Sequence, residues 1–136
     1  MSPRRRLASA LLAATIATYS AMGFAQTSKA QTAAAQAYHR GMAALGAGHH
    51  QTASVEFETS YRMNPVPDVL FNLALAYRGA GRLASALGAF ERYLATAPRG
   101  APPQRIAAIR VLLPSLESSV ARIDLGALSD SARLGR

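Results

Sequence analysis

VPDVLFNLALAYRGAGRLASALGAFERYLATAP, residues Val66 to Pro98, is the stretch whose reading decides the fold. Leu70, Leu73, Ala74 and Tyr77 fall at i, i+3, i+4 and i+7, one apolar stripe of an amphipathic helix. Leu83, Ala86, Leu87 and Phe90 repeat that spacing after the break at Gly79-Ala80-Gly81. Two short helices of this kind, joined by a glycine turn, bury their stripes against each other. The segment therefore predicts a helical hairpin.

The pattern occurs once more, 33 residues upstream. Gly48 matches Gly81, Ala53 matches Ala86, Phe57 matches Phe90, Pro65 matches Pro98, and Tyr38 matches Phe71. Repetition with a period of this size marks a helical array. On these residues the chain resembles the tetratricopeptide repeat family, whose unit has a small residue at the helix crossing, a turn glycine, Ala then an aromatic on the second helix, and a closing Pro. Gly41, Ala74, Ala53 and Ala86 take the crossing positions, where a larger side chain would hold the backbones apart. The copies depart from the family in carrying Ala37 and Leu70 where it usually has Trp, and Ala44 where the second copy has Tyr77. The resemblance covers residues 34–98.

The remainder of the chain fits around these hairpins. The composition, 50% apolar and 16% charged over 136 residues, is that of one small globular domain. Arg4, Arg5 and Arg6 followed by the uncharged run Leu7 to Ala25 have the layout of a signal peptide, residues 1–25, with Gly23-Phe24-Ala25 before the cleavage point. The alternatives are an uncleaved anchor and a twin-arginine signal. The expected location is periplasmic or secreted, with no stable membrane span after cleavage. With no cysteine in the chain, stability rests on packing and not on disulfides. The formal charge of +8 falls to +5 without the three leader arginines, and the remaining basic residues are scattered, so nucleic acid is not an expected partner.

Residues 26–33, rich in Ala, Gln, Ser and Thr, read as a flexible lead-in, with helix periodicity beginning around Ala33. Helix two is expected to start near Gln51 and to end at Asn64-Pro65-Val66-Pro67, because proline cannot continue the hydrogen-bond ladder. After the breaker Arg99 to Pro103, residues 102–123 form a third periodic segment, a capping helix with Ile106, Ile109, Leu112 or Leu113, Leu116, Val120 and Ile123 on one side. Pro114 is expected to kink or split it near Leu113. Residues 120–125 also alternate like a strand, and residues 124–136 read as a flexible tail. The fold class is thus all-α: two tetratricopeptide-like hairpins, residues 34–66 and 67–98, plus a capping helix.

No catalytic constellation is present. His49 and His50 are adjacent and point apart on a helix without acidic or sulfur neighbours, so they do not form a metal site. Glu56 and Glu58, two apart, face different sides of their helix. No nucleophile motif or phosphate-cradling glycine loop appears. The expectation is a non-enzymatic protein with no cofactor and no metal. The resemblance implies a groove for a peptide or protein segment on the first helices of the hairpins, which maps onto Tyr38, Met42, Phe71, Asn72, Leu75 and Arg78. The family's carboxylate clamp for acidic chaperone tails is not reproduced, since Tyr38 and Met42 stand where it has Lys and Asn. A second reading is a structural module that self-associates or forms the N-terminal part of a larger envelope protein.

Overall fold

The computed structural model describes residues 27–97 and 100–134, all of which belong to helices or short turns. The signal-peptide reading falls on residues outside these. Five helices follow in order: α1 (residues 27–46), α2 (His50–Met63), α3 (Pro67–Gly79), α4 (Leu83–Thr96) and α5 (Pro103–Leu134). The fold is all-α. Each helix packs on its neighbours in sequence, α2 on α3, α3 on α4 and α4 on α5, as in a solenoid.

The 33-residue offset is present in the backbone and not only in the letters. Gly48 and Gly81 both adopt φ of +76°, a left-handed conformation that a side chain opposes. Around Gly48, His49 N–H donates to the Ala44 carbonyl at 2.9 Å and Gly48 N–H to that of Leu45 at 3.1 Å. Around Gly81, Arg82 N–H donates to Tyr77 at 2.9 Å and Gly81 N–H to Arg78 at 3.1 Å. These reach-back bonds across a left-handed glycine satisfy carbonyls that the helix end leaves open, and they reverse the chain into the next helix. The α2–α3 connection stops differently. Asn64 caps α2 in an extended conformation, and Pro67 opens α3 where its missing N–H costs nothing.

The core also follows the offset. Ala53 and Ala86 are fully buried, as are Phe57 and Phe90, each pair holding equivalent places in the two hairpins. One buried cluster joins Ala53, Phe57, Val69, Leu73 and Ala76. A second joins Leu70, Ala74, Ala89, Phe90 and Tyr93 to Ile109 and Leu116 of α5. Tyr61 and Tyr77 pack against both, so the core is continuous along the stack.

Three expectations need correction. The lead-in expected over residues 26–33 is helical from residue 27 onward. Its Ala and Gln residues are good helix formers, Thr32 back-bonds to the Ser28 carbonyl at 3.0 Å, and Ala34 and Ala37 are buried. The tail expected from residue 124 instead continues α5 as far as Leu134. Pro114 does not split that helix, which is assigned without a break across it. Proline there removes one backbone bond out of a 32-residue helix, and Ile109 and Leu116, one on each side of it, both join the buried cluster with α4. The strand alternative for residues 120–125 falls with the same observation. Among the described residues, no helix is long and apolar enough to cross a membrane.

Candidate functional site

A groove of about 610 Å³ lies between α3 and α5. Phe71, Leu75 and Arg78 contribute from α3, Phe90 from α4, and Ala107, Ala108, Val111, Leu112 and Ser115 from α5. Three of the six residues expected in a groove are thus brought together, one helical turn apart along a single face of α3. Leu75 and Arg78 also line a second concavity on the other side, with Leu45, His50 and Gly79. They form the ridge between the two.

Phe71 is the wall of the larger groove and also part of the fold. Its ring lies edge-on to Phe90 at 6.2 Å and tilted against Tyr93 at 5.7 Å, and the Arg105 guanidinium stands 4.4 Å above it. Arg105 pairs in turn with Asp68 at 2.6 Å and reaches the Tyr93 hydroxyl at 3.4 Å. The hydrogen bond to Tyr93 leads the causes that raise its pKa. The start of α5 is therefore fastened to the start of α3, which sets the width of the groove.

The other three expected residues are placed elsewhere. Asn72 donates from Nδ2 to the Tyr38 hydroxyl at 2.9 Å, a bond that ties α1 to α3. Tyr38 itself leans on Phe57 at 5.7 Å. Both polar groups are engaged within the protein, and neither residue lines the larger groove. Met42 lies on α1, 41% exposed and apart from both concavities that Leu75 and Arg78 line.

The α5 lining was not among the expected groove residues. The capping reading followed the strong stripe through Ile109 and Leu116. Ala107, Ala108, Val111 and Ser115 form a weaker second stripe, and their helical spacing was the signal for it.

Among the described residues some arginines are fastened to carboxylates and others, Arg78 among them, are not. Arg40 pairs with Glu56 at 2.9 Å and Arg82 with Glu58 at 3.3 Å. Glu58 also accepts from the Tyr77 hydroxyl at 2.6 Å, and Arg82 stacks 4.5 Å above the Tyr77 ring. Burial first, and then this bond, pushes the Tyr77 phenol up to about 12. Arg78, exposed at the groove, has no carboxylate partner among the described residues. A free guanidinium beside an apolar trough suits an apolar segment that carries a carboxylate, which it grips through two parallel N–H donors.

Among the described residues no group of three or more His, Asp or Glu side chains is arranged to hold a metal ion. His50 lies over Gly79, where any side chain would strike its ring, with Nδ1 buried and without a hydrogen-bond partner among the described residues. Comparison with known protein families, with curated proteins and with solved structures found no match to the chain.

Proposed function

We propose that this chain is a tetratricopeptide-like binding module of the cell envelope, exported through its N-terminal leader, which holds a segment of a protein partner in the groove between α3 and α5 and carries out no chemistry. The observation that carries this reading is the pairing of Leu75 and Arg78 on the inner face of the second hairpin. There an apolar trough and an unpaired guanidinium meet on a surface that α5 leaves open. The recurrence of one turn geometry at Gly48 and Gly81 supports the family assignment. The expected ligand is a short apolar segment with one or two carboxylates. Asn72 is assigned to the fold instead, because its bond to Tyr38 fastens two helices.

The test is affinity purification of the tagged chain from its native cells, in the original form and with Leu75→Glu or Arg78→Glu. Arg78 is exposed, so Arg78→Glu is expected to hold helix content and melting temperature while a defined partner is lost; Leu75 is half-buried against the core, so Leu75→Glu is expected to lose the partner with some fall in melting temperature. An unchanged set of retained proteins in both variants would overturn the groove assignment.

The second reading, self-association, is favoured by a different observation. From Ala121 to Arg133 every residue of α5 is exposed, including Ile123, Leu125 and Leu128 at 58%, 67% and 68%. A lone helix of this length is marginal in water, and its apolar side chains call for a cover.

A further inference from the structure

We infer that the cavity between α1 and the α2–α3 junction is a second binding site, which takes a primary ammonium carried on a short aliphatic stem. The cavity measures about 330 Å³ and shares no lining residue with the groove between α3 and α5, so it stands apart from the groove reading.

The first observation is a hydroxyl without a partner. Ser54 and Ser60 of α2 are buried, 0% and 2% exposed. Ser54 donates to the Gln51 carbonyl at 2.8 Å, as hydroxyls inside a helix commonly do. The Ser60 hydroxyl makes no such bond among the described residues, and Ser60 lines the cavity. A buried hydroxyl left alone is costly, so the group that completes it enters through the cavity, as a water or as a ligand atom.

The second observation is how α2 ends. The last carbonyls of a helix lack the N–H groups that would lie four residues further on. For Tyr61 and Met63 those residues are Pro65 and Pro67, which have no N–H, and the N–H of Val66 turns to the Asn64 carbonyl at 2.9 Å and not to that of Arg62. The turns at Gly48 and Gly81 send N–H groups back to the carbonyls before them, whereas among the described residues none returns to positions 61–63. The negative end of α2 is therefore open. It favours a cation beside its last turn, where Ser60 and Asn64 line the cavity.

Charge selects the same ligand. Asp68 is on the lining, and among the described residues no Lys or Arg joins it there, in a chain of formal charge +8. Arg105 engages Asp68 from α5 through Oδ1, which leaves the lone pairs of Oδ2. Arg62, in the last turn of α2, is exposed and off the lining. A primary ammonium has three N–H donors and no acceptor, which suits a carboxylate, a hydroxyl and the Asn64 amide oxygen. A divalent metal ion suits the cavity less, since among the described residues no three His, Asp or Glu side chains come together. Ala34, Ala35, Val66 and Val69 line the remainder and fit a stem of about four carbons, as in a lysine side chain or a free alkylamine.

The purified chain is titrated with n-butylammonium chloride while backbone amide chemical shifts are followed, with 1-butanol and sodium butyrate as matched probes. The ammonium is expected to give saturable shifts over residues 31–39 and 60–69, with a Kd on the order of 1 mM or weaker for so small a probe. The alcohol and the carboxylate are expected to leave those residues unmoved. Ser60→Ala is expected to keep or raise the melting temperature of the free chain, because the hydroxyl bonds nothing in the fold, and to raise the ammonium Kd on the order of tenfold. Asp68→Asn keeps the shape, removes the charge and is expected to act by a similar factor; because Asp68 also holds Arg105, Ser60→Ala is the deciding variant. A blocked tripeptide with a central lysine that binds more tightly than n-butylammonium assigns the site to a polypeptide partner, and the reverse order assigns it to a free amine. No saturable shift, equal shifts from 1-butanol, or an ammonium Kd untouched by Ser60→Ala overturns the inference and leaves an ordered water as what Ser60 bonds.

Discussion

A methyl group built on Gly41 sits 2.7 Å and 2.8 Å from Cε1 and Cδ1 of Phe57, where ordinary contacts begin at 3.4 Å. Phe57 has no exposed surface and leans on Tyr38, so its ring has little room to retreat. In Gly41→Ala two effects oppose. Helix propensity favours alanine in a helix interior by about 1 kcal/mol. Overpacking a filled crossing costs about 1 to 3 kcal/mol. The crossing is expected to win, with a net loss on the order of 1 kcal/mol, or roughly 4 to 8 °C in melting temperature for a domain of this size. Gly88 supplies the control, since a methyl there meets nothing within 4 Å. Gly88→Ala is expected to stabilise by about 0.5 to 1 kcal/mol through propensity alone. Thermal unfolding followed by circular dichroism compares the two directly. The second hairpin makes the comparison sharper, because Ala74, fully buried, occupies the position equivalent to Gly41. If Gly41→Ala raises the melting temperature as much as Gly88→Ala does, the tight α1–α2 crossing is refuted.

Further outcomes follow from the same packing. Ala86→Leu, at a fully buried crossing, is expected to lose about 1 to 3 kcal/mol, whereas Ala84→Leu on the exposed side of α4 changes little; equal melting temperatures would contradict the crossing. His50→Leu, which gives the first hairpin the residue that the second has at Leu83, is expected to raise stability by about 1 kcal/mol or more, because it removes a buried nitrogen without a partner. A lower melting temperature would mean that Nδ1 has a role in the fold. The Tyr77 phenol, raised from 10.0 to about 12, favours its neutral form in the folded state. Its contribution is therefore complete below pH 10 and is lost as the pH rises through about 12. Tyr77→Phe is expected to flatten the fall in melting temperature across that window, and an unchanged alkaline profile would place the loss elsewhere.

The hairpins were legible because their evidence is local and repeated. Glycine at the turn, alanine at the crossing and an aromatic one turn later each have a single physical reason, and the 33-residue recurrence states that reason twice. The helix ends of α1 and α5 were not legible, since both lie where the apolar period fades. Residues 27–33 and 124–134 are helical without a strong buried stripe, and periodicity is blind to a helix that has no core to face. The groove was half legible. Phe71, Leu75 and Arg78 follow from helical spacing on α3, but the opposite wall comes from α5, whose second stripe of Ala107, Ala108, Val111 and Ser115 is less apolar than the one that packs on α4. Asn72 and Tyr38 were read as available to a ligand because a sequence does not show that two polar side chains 34 residues apart meet.

The groove is tested most directly by placing a photoreactive phenylalanine analogue at Leu75 and, in a separate chain, at Val55, then irradiating in the native cells. Leu75 lines the groove between α3 and α5, and Val55 stands on α2, 51% exposed and away from it. The expected result is one discrete adduct from Leu75, whether to a partner or to a second copy, and none from Val55. Equal adducts from both positions, or none from Leu75, would contradict a binding surface between α3 and α5.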